Sequence, residues 1–117
     1  MDAVIADSVS QHMHALERAN QVRLARAALK RKIANGQLDT AEVVLTCPWE
    51  AESMSVSELL MSQKRWGRTR CRKFLSSIGL PEMKKVCTLT ERQRLTLAAL
   101  LTAKAESARS QARRSLA

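Results

Sequence analysis

Apolar positions recur at three- and four-residue spacing in several stretches, separated by turn signals, which is the pattern of amphipathic helices. From about Gln11 to Asn35 the chain reads as one long helix. Val22, Ala25, Leu29 and Ile33 form a stripe, with Leu16 and Ala19 leading into it. Arg18, Arg23, Arg26, Lys30, Arg31 and Lys32 lie mostly off that stripe, on a solvated face or against phosphate. Asn35-Gly36 ends it. Residues 1–10 are small and mixed, and are expected to be a flexible arm. Asp39 or Thr40 caps a short helix with Ala41, Val44 and Leu45 facing inward, and Cys47-Pro48 breaks it. A loop follows over 49–53, with Trp49 expected to anchor packing.

Ser55-Val-Ser-Glu58 matches a capping box and opens a short helix carrying Val56, Leu59 and Leu60. After it comes Lys-Arg-Trp-Gly-Arg-Thr-Arg-Cys-Arg-Lys, residues 64–73, in which Lys64, Arg65, Arg68, Arg70, Arg72 and Lys73 are cationic. Gly67 marks a tight turn into a helix whose apolar face is Phe74, Leu75 and Ile78, with Gly79 as its stop. Residues 80–89 form a second connector holding Lys84 and Lys85. Thr90-Glu-Arg-Gln93 is a second capping box, and Leu97, Leu100 and Leu101 give the last helix its buried face. Residues 104–117, rich in Ala, Ser and Arg, read as a helical extension or a basic tail.

Composition supports an all-α chain of about five helices. With 117 residues there is room for one domain, placed at 11–103; apolar content is 45%, and Gly and Pro are few. Net charge is +9, from 20 Lys and Arg against 11 Asp and Glu, which draws polyanions. Cys47, Cys71 and Cys87 are odd in number and form no C-x-x-C, so no disulfide framework is expected and a reducing, cytoplasmic setting fits. Cys71, within a basic helix, is either activated or a small buried residue, the latter favoured. His12 and His14 give no zinc site, and neither a membrane span nor a secretory signal is legible.

No Walker loop, nucleophile elbow, zinc-protease motif or carboxylate cluster is present, so an enzyme is not expected and no cofactor is implied. The basic turn is the candidate site. A helix start offers N–H groups without intrahelical partners, and the dipole favours an anion there. Candidate contacts to a nucleic-acid backbone are Lys64, Arg65, Trp66, Gly67, Arg68, Thr69 and Arg70, with Lys84, Lys85, Arg92 and Arg94. Arg92 and Arg94 occupy a first helical turn, where cations oppose the dipole unless an anion is near. Trp66 either wedges at a sugar or base step or packs beneath the turn. No recognition helix aimed at base edges is evident, so low sequence specificity is expected, with a preference for bendable DNA.

These pieces, in this order from Ala15 to Leu101, resemble the actinobacterial integration host factors. The resemblance is carried by Ala15-Leu-Glu-Arg-Ala19, Met54-Ser-Val-Ser-Glu-Leu-Leu60, Gly67-Arg-Thr-Arg-Cys71 and Leu89-Thr-Glu-Arg-Gln-Arg94. It implies a long N-terminal helix on a helix-two-turn-helix domain of a type shared with a ribosomal protein. It also implies a monomeric, nucleoid-associated protein that binds and bends duplex DNA, with support of site-specific phage integration in some members. By that resemblance the DNA contacts are Gly67, Arg68, Arg70, Lys84, Lys85, Arg92 and Arg94. Four features depart from the pattern: Cys87 at a basic position, Lys84 and Lys85 where the family has Arg, which makes contacts there less directional, Trp66 at a small aliphatic position, and the extension past Ala103. The alternatives are an RNA-binding or ribosome-associated protein, and a protein that docks on a recombinase or polymerase.

Overall fold

The computed structural model describes the backbone of residues 2–116 and the side chains of residues 9–115; Met1 and Ala117, the ends of the expected arm and extension, lie outside the described residues. Five α-helices are present among them: α1 (Asp2–Ala34), α2 (Thr40–Thr46), α3 (Val56–Met61), α4 (Arg68–Ile78) and α5 (Glu91–Leu116). Single 3-10 turns occur at Trp49–Ala51 and Val86–Thr88. The all-helical expectation holds, and so does the long first helix.

That helix starts earlier than the sequence suggests. Residues 2–10, expected as a flexible arm, continue α1 without a break. They contain no Gly or Pro to stop a helix. Among the described side chains of α1, those of its C-terminal part dock: Leu29 and Ile33 are buried, and Val22 and Ala25 are half-buried. Leu16, expected to lead into the stripe, is 50% exposed, as are Val9, Met13 and Leu24 to similar degrees. The reason is length. Thirty-three residues span about 50 Å, more than the helical core can cover, and the molecule extends 74 × 30 × 24 Å.

The short helices are fixed by their ends. Asp39 accepts a hydrogen bond from the Ala41 N–H at the start of α2. Thr40, Ala41, Val43 and Val44 are buried, mostly against α5. Leu45, expected inward, is 46% exposed and lies beside Leu89 and Leu95 at the surface. Val43 takes the inward place, because the face that meets α5 is rotated from the one the spacing suggests. Cys47 ends α2 in the left-handed region, with φ 43°, and forms a disulfide with Cys87. This overturns the expectation of three free thiols. The pair is 40 residues apart in sequence but its Cα atoms are 5.7 Å apart, a proximity that only the tertiary fold creates. Trp49 is not a packing anchor: it is 59% exposed, and fully buried Ala51 in the same turn faces inward instead.

At α3 the Ser55 hydroxyl accepts from the Glu58 N–H at 3.1 Å. The reciprocal half of the box is replaced, because the Glu58 carboxylate pairs with Arg26 and Lys30 of α1. Two cations of the α1 row are thereby engaged inside the fold rather than left for phosphate. The next free amides of α3 are satisfied by the second connector. Val56 N–H donates to the Lys84 carbonyl at 2.8 Å and Ser57 N–H to the Glu82 carbonyl at 3.2 Å, while Val86 N–H donates to the Met54 carbonyl. Gly79, at φ 71°, closes α4, and Leu80 N–H bonds back to the Leu75 carbonyl. Both halves of the Thr90–Gln93 box form, at 3.0 and 3.1 Å. On α5, Leu97, Ala98 and Leu101 are buried, whereas Leu100 is 37% exposed at the edge of a groove beside α4. No helix among the described residues is long and apolar enough to cross a membrane.

The Cys47–Cys87 bond closes a loop of about 40 residues, for which chain entropy gives roughly 4 kcal/mol of stabilisation. Urea denaturation with and without reductant is expected to show that difference; coincident transitions would contradict it. Leu75→Ala, at a site with no exposure, is expected to cost about 3 kcal/mol in the same assay.

Candidate nucleic-acid interface

The start of α4 has no cap of its own. Gly67 is the N-cap residue and carries no side chain to accept a hydrogen bond, and the first turn holds no acid. The first backbone bond into the helix is Cys71 N–H to the Gly67 carbonyl at 3.0 Å. The amides of Arg68, Thr69 and Arg70 therefore precede the intrahelical ladder and find no acceptor among the described residues. Gly67 has φ −85°, and a Cβ built on it would meet no protein atom within 4 Å. Nothing inside the fold requires glycine there. Its effect is to leave the approach to those amides open.

The turn before Gly67 is shaped to present charge. Arg65 adopts φ 70°, a left-handed conformation that non-glycine residues rarely take. Trp66 N–H donates to the Gln63 carbonyl. The half-buried Trp66 ring packs edge-on against Phe74, with centroids 5.3 Å apart, and carries the Arg70 guanidinium over its face at 4.3 Å. Trp66 thus packs beneath the turn and keeps part of its ring at the surface. Lys64, Arg65, Arg68, Thr69 and Arg70 are all exposed. Among the described residues none of these cations has a carboxylate partner, because the ion pairs fall elsewhere.

The other expected contacts are more dispersed. Arg72 on α4 is paired with Glu82 at 2.9 Å, which ties the second connector to α4. Lys84 is half-buried beside the start of α3, and Lys85 donates to the Ser53 carbonyl at 2.9 Å. Arg92 is exposed near Ile78, at the far end of α4, roughly 15 Å along the helix from Arg68. Arg94 is half-buried near Leu45 and Leu95, with its Nε enclosed and unpaired. The structure thus gathers residues 64–70 into one cluster, sets Lys84 and Lys85 across the α3 start, and separates Arg92 and Arg94 from the turn. Sequence reasoning placed Lys73 in the basic stretch but not among the candidate contacts, and it missed Lys104. Both line the groove between α4 and α5, with Lys104 Nζ 5.4 Å from the Phe74 ring centre. Lys104 is 34 residues from Arg70 in sequence, and no local pattern connects them.

Cys71 is 1% exposed, and its thiol donates to the Ser57 carbonyl and hydroxyl at 3.7 Å. Burial pushes this thiol up from its ordinary value; the Ser57 hydroxyl opposes that, because it can turn to donate to the thiolate, and the Glu82 charge adds to the rise. The surrounding cations do not activate it. Among the described residues, no group of His, Cys, Asp and Glu could hold a metal.

No protein-family model matches the chain, and no curated protein matches it. Among solved structures, the chain is similar to sIHF bound to an 8-bp palindromic DNA. The identity is 25% and the TM-score 0.67, over 73% of this chain and 98% of sIHF. The fold is therefore of the integration-host-factor type found in sIHF, and over a quarter of this chain has no counterpart there.

The folded state holds Cys71 neutral while the unfolded thiol ionises near pH 8.5, so rising alkalinity favours unfolding. Iodoacetamide at pH 8.5 is expected to leave Cys71 unmodified in the native protein and to label it rapidly in urea; fast native labelling would contradict burial. Arg65→Gly relieves the left-handed strain and is expected to leave the melting temperature within a few degrees of the parent. A large loss would mean that Arg65 holds the turn by contacts of its own.

Proposed function

We propose that this chain is an architectural DNA-binding protein related to the actinobacterial integration host factors, built on a helix-two-turn-helix domain at 11–103. It grips the backbone and minor groove of duplex DNA with low sequence specificity and bends it. The supporting observation is the uncapped start of α4, where three free amides, an open glycine and the unpaired Arg68 and Arg70 converge. Phosphate is the group that such a site complements. It accepts from backbone N–H groups, sits favourably at the positive end of the dipole, and pairs with guanidinium. Contacts of this kind position a protein on DNA without reading bases. The DNA-bound state of sIHF, a protein of the same fold, favours duplex DNA over RNA as partner.

In this reading the protein acts as a monomer in the nucleoid and has no catalytic role or cofactor. It shapes DNA for a recombinase during site-specific integration. Lys84 and Lys85 extend the grip across the start of α3, while Arg92 and Arg94 contact a more distant part of the backbone or none.

A salt series on a fluorescently labelled duplex, read for binding and for bend, tests this reading. If about six phosphates are engaged, the log–log slope is expected near −5. Arg68→Ala and Arg70→Ala are each expected to weaken binding and to reduce the slope by about 1. Gly67→Ala is expected to weaken binding while changing stability by no more than about 1 kcal/mol. Tighter binding to duplex RNA would replace this reading with an RNA-binding one. DNA affinity indifferent to Arg68 and Arg70 would point to a partner protein instead.

A further inference from the structure

Helix α5 continues well beyond what the core requires. Its last fully buried residue is Leu101, yet it runs to Leu116. A solvated helix end of this length gains little from propensity alone. Where it passes the basic turn it forms one wall of a groove of about 420 Å³. The opposite wall is the turn itself, with Lys64, Arg65, Trp66 and Arg70. The α5 wall supplies Lys104 and a run of small side chains that includes Ala108. Among the described residues, four cations line this groove and no carboxylate does.

The groove is also partly pre-ordered. Trp66 and Phe74 stand at right angles, with Arg70 over Trp66 and Lys104 over Phe74. Each aromatic face attracts a cation, and so the pair holds one charge on each wall. Side chains already placed lose less entropy when they take up a ligand. An apolar or polycationic occupant is excluded by four like charges. A second copy of this chain, offering its acidic residues, would have to bring them on a projecting helix; a phosphodiester backbone already gripped at the α4 start needs only to continue into the groove.

We infer that this groove is a second backbone subsite for duplex DNA, with Lys104 and the α5 extension as its outer wall. The inference rests on the DNA-binding reading above and extends the contact beyond the cluster at residues 64–70. It gives the extension past Ala103 a role, and it gives Trp66 one too. The ring positions Arg70 and, through Phe74, shares the support of Lys104.

The test uses the full chain and a labelled duplex. Ala108 is exposed, so Ala108→Glu places a carboxylate on the groove wall without disturbing the core. It is expected to weaken duplex binding about tenfold, and Lys104→Ala about threefold with a salt slope shallower by about 1. Trp66→Leu is expected to reduce the effect of Lys104→Ala, as a double-mutant cycle would register. Circular dichroism confirms that each variant is folded. If Ala108→Glu and Lys104→Ala leave affinity and slope unchanged while Arg68→Ala weakens binding, the subsite falls and the DNA-binding reading stands. If the parent chain does not bind duplex DNA at low salt, both fall. If Ala108→Glu alters self-association in sedimentation and not DNA affinity, the groove takes a second copy and the inference is overturned.

Discussion

Three backbone amides at the start of α4 have no hydrogen-bond partner among the described residues, and the packing around that helix holds them at the surface. An exposed helix start is ordinarily satisfied by water or by its own cap. Here the cap position is Gly67, which offers no acceptor, and the residues on either side bring positive charge. Both the dipole and the side chains of the site favour an anion. In the proposed mode of binding a phosphate is that anion, and the absence of a Cβ at Gly67 leaves room for a bulky backbone to approach.

Holding that corner still requires a scaffold beneath it. Phe74 and Leu75 anchor the inner face of α4 in the core. The Arg72–Glu82 pair fastens its flank to the second connector, whose carbonyls in turn satisfy the start of α3. Glu58 draws α3 to α1 through Arg26 and Lys30, and the Cys47–Cys87 bond joins the end of α2 to the same connector. Each cation engaged in these ties is removed from the pool available to a polyanion. Charge counting alone therefore overstates the cations left for a polyanion, and among the described residues those of the cluster at 64–70 have no carboxylate partner.

Features governed by local chemistry were legible in the sequence. Asp39, Ser55 and Thr90 cap helices, and Gly79 ends one, because capping depends on residues within a turn of each other. The basic turn and Gly67 were legible for the same reason. What escaped depends on distant partners. The sequence pattern could not show that Cys47 meets Cys87, that Glu58 turns away from its own cap, or that Lys104 comes to face Arg70 across a groove. Leu45 and Leu100 show the same limit at the level of a single helix. Spacing places them on an apolar stripe, but the neighbouring helix selects which part of the stripe is covered. Residues 2–10 show another, since a small, mixed stretch without helix breakers continues the helix that follows it.

The central claim concerns the backbone at one helix start, and amide chemical shifts report on it directly. In a 15N-labelled sample titrated with duplex DNA, the amide signals of Arg68, Thr69 and Arg70 are expected to move first and farthest, as their N–H groups acquire phosphate acceptors. If those three signals stay in place while the DNA-induced shifts appear elsewhere on the chain, the α4 start is not the grip, and the proposed mode of binding is wrong.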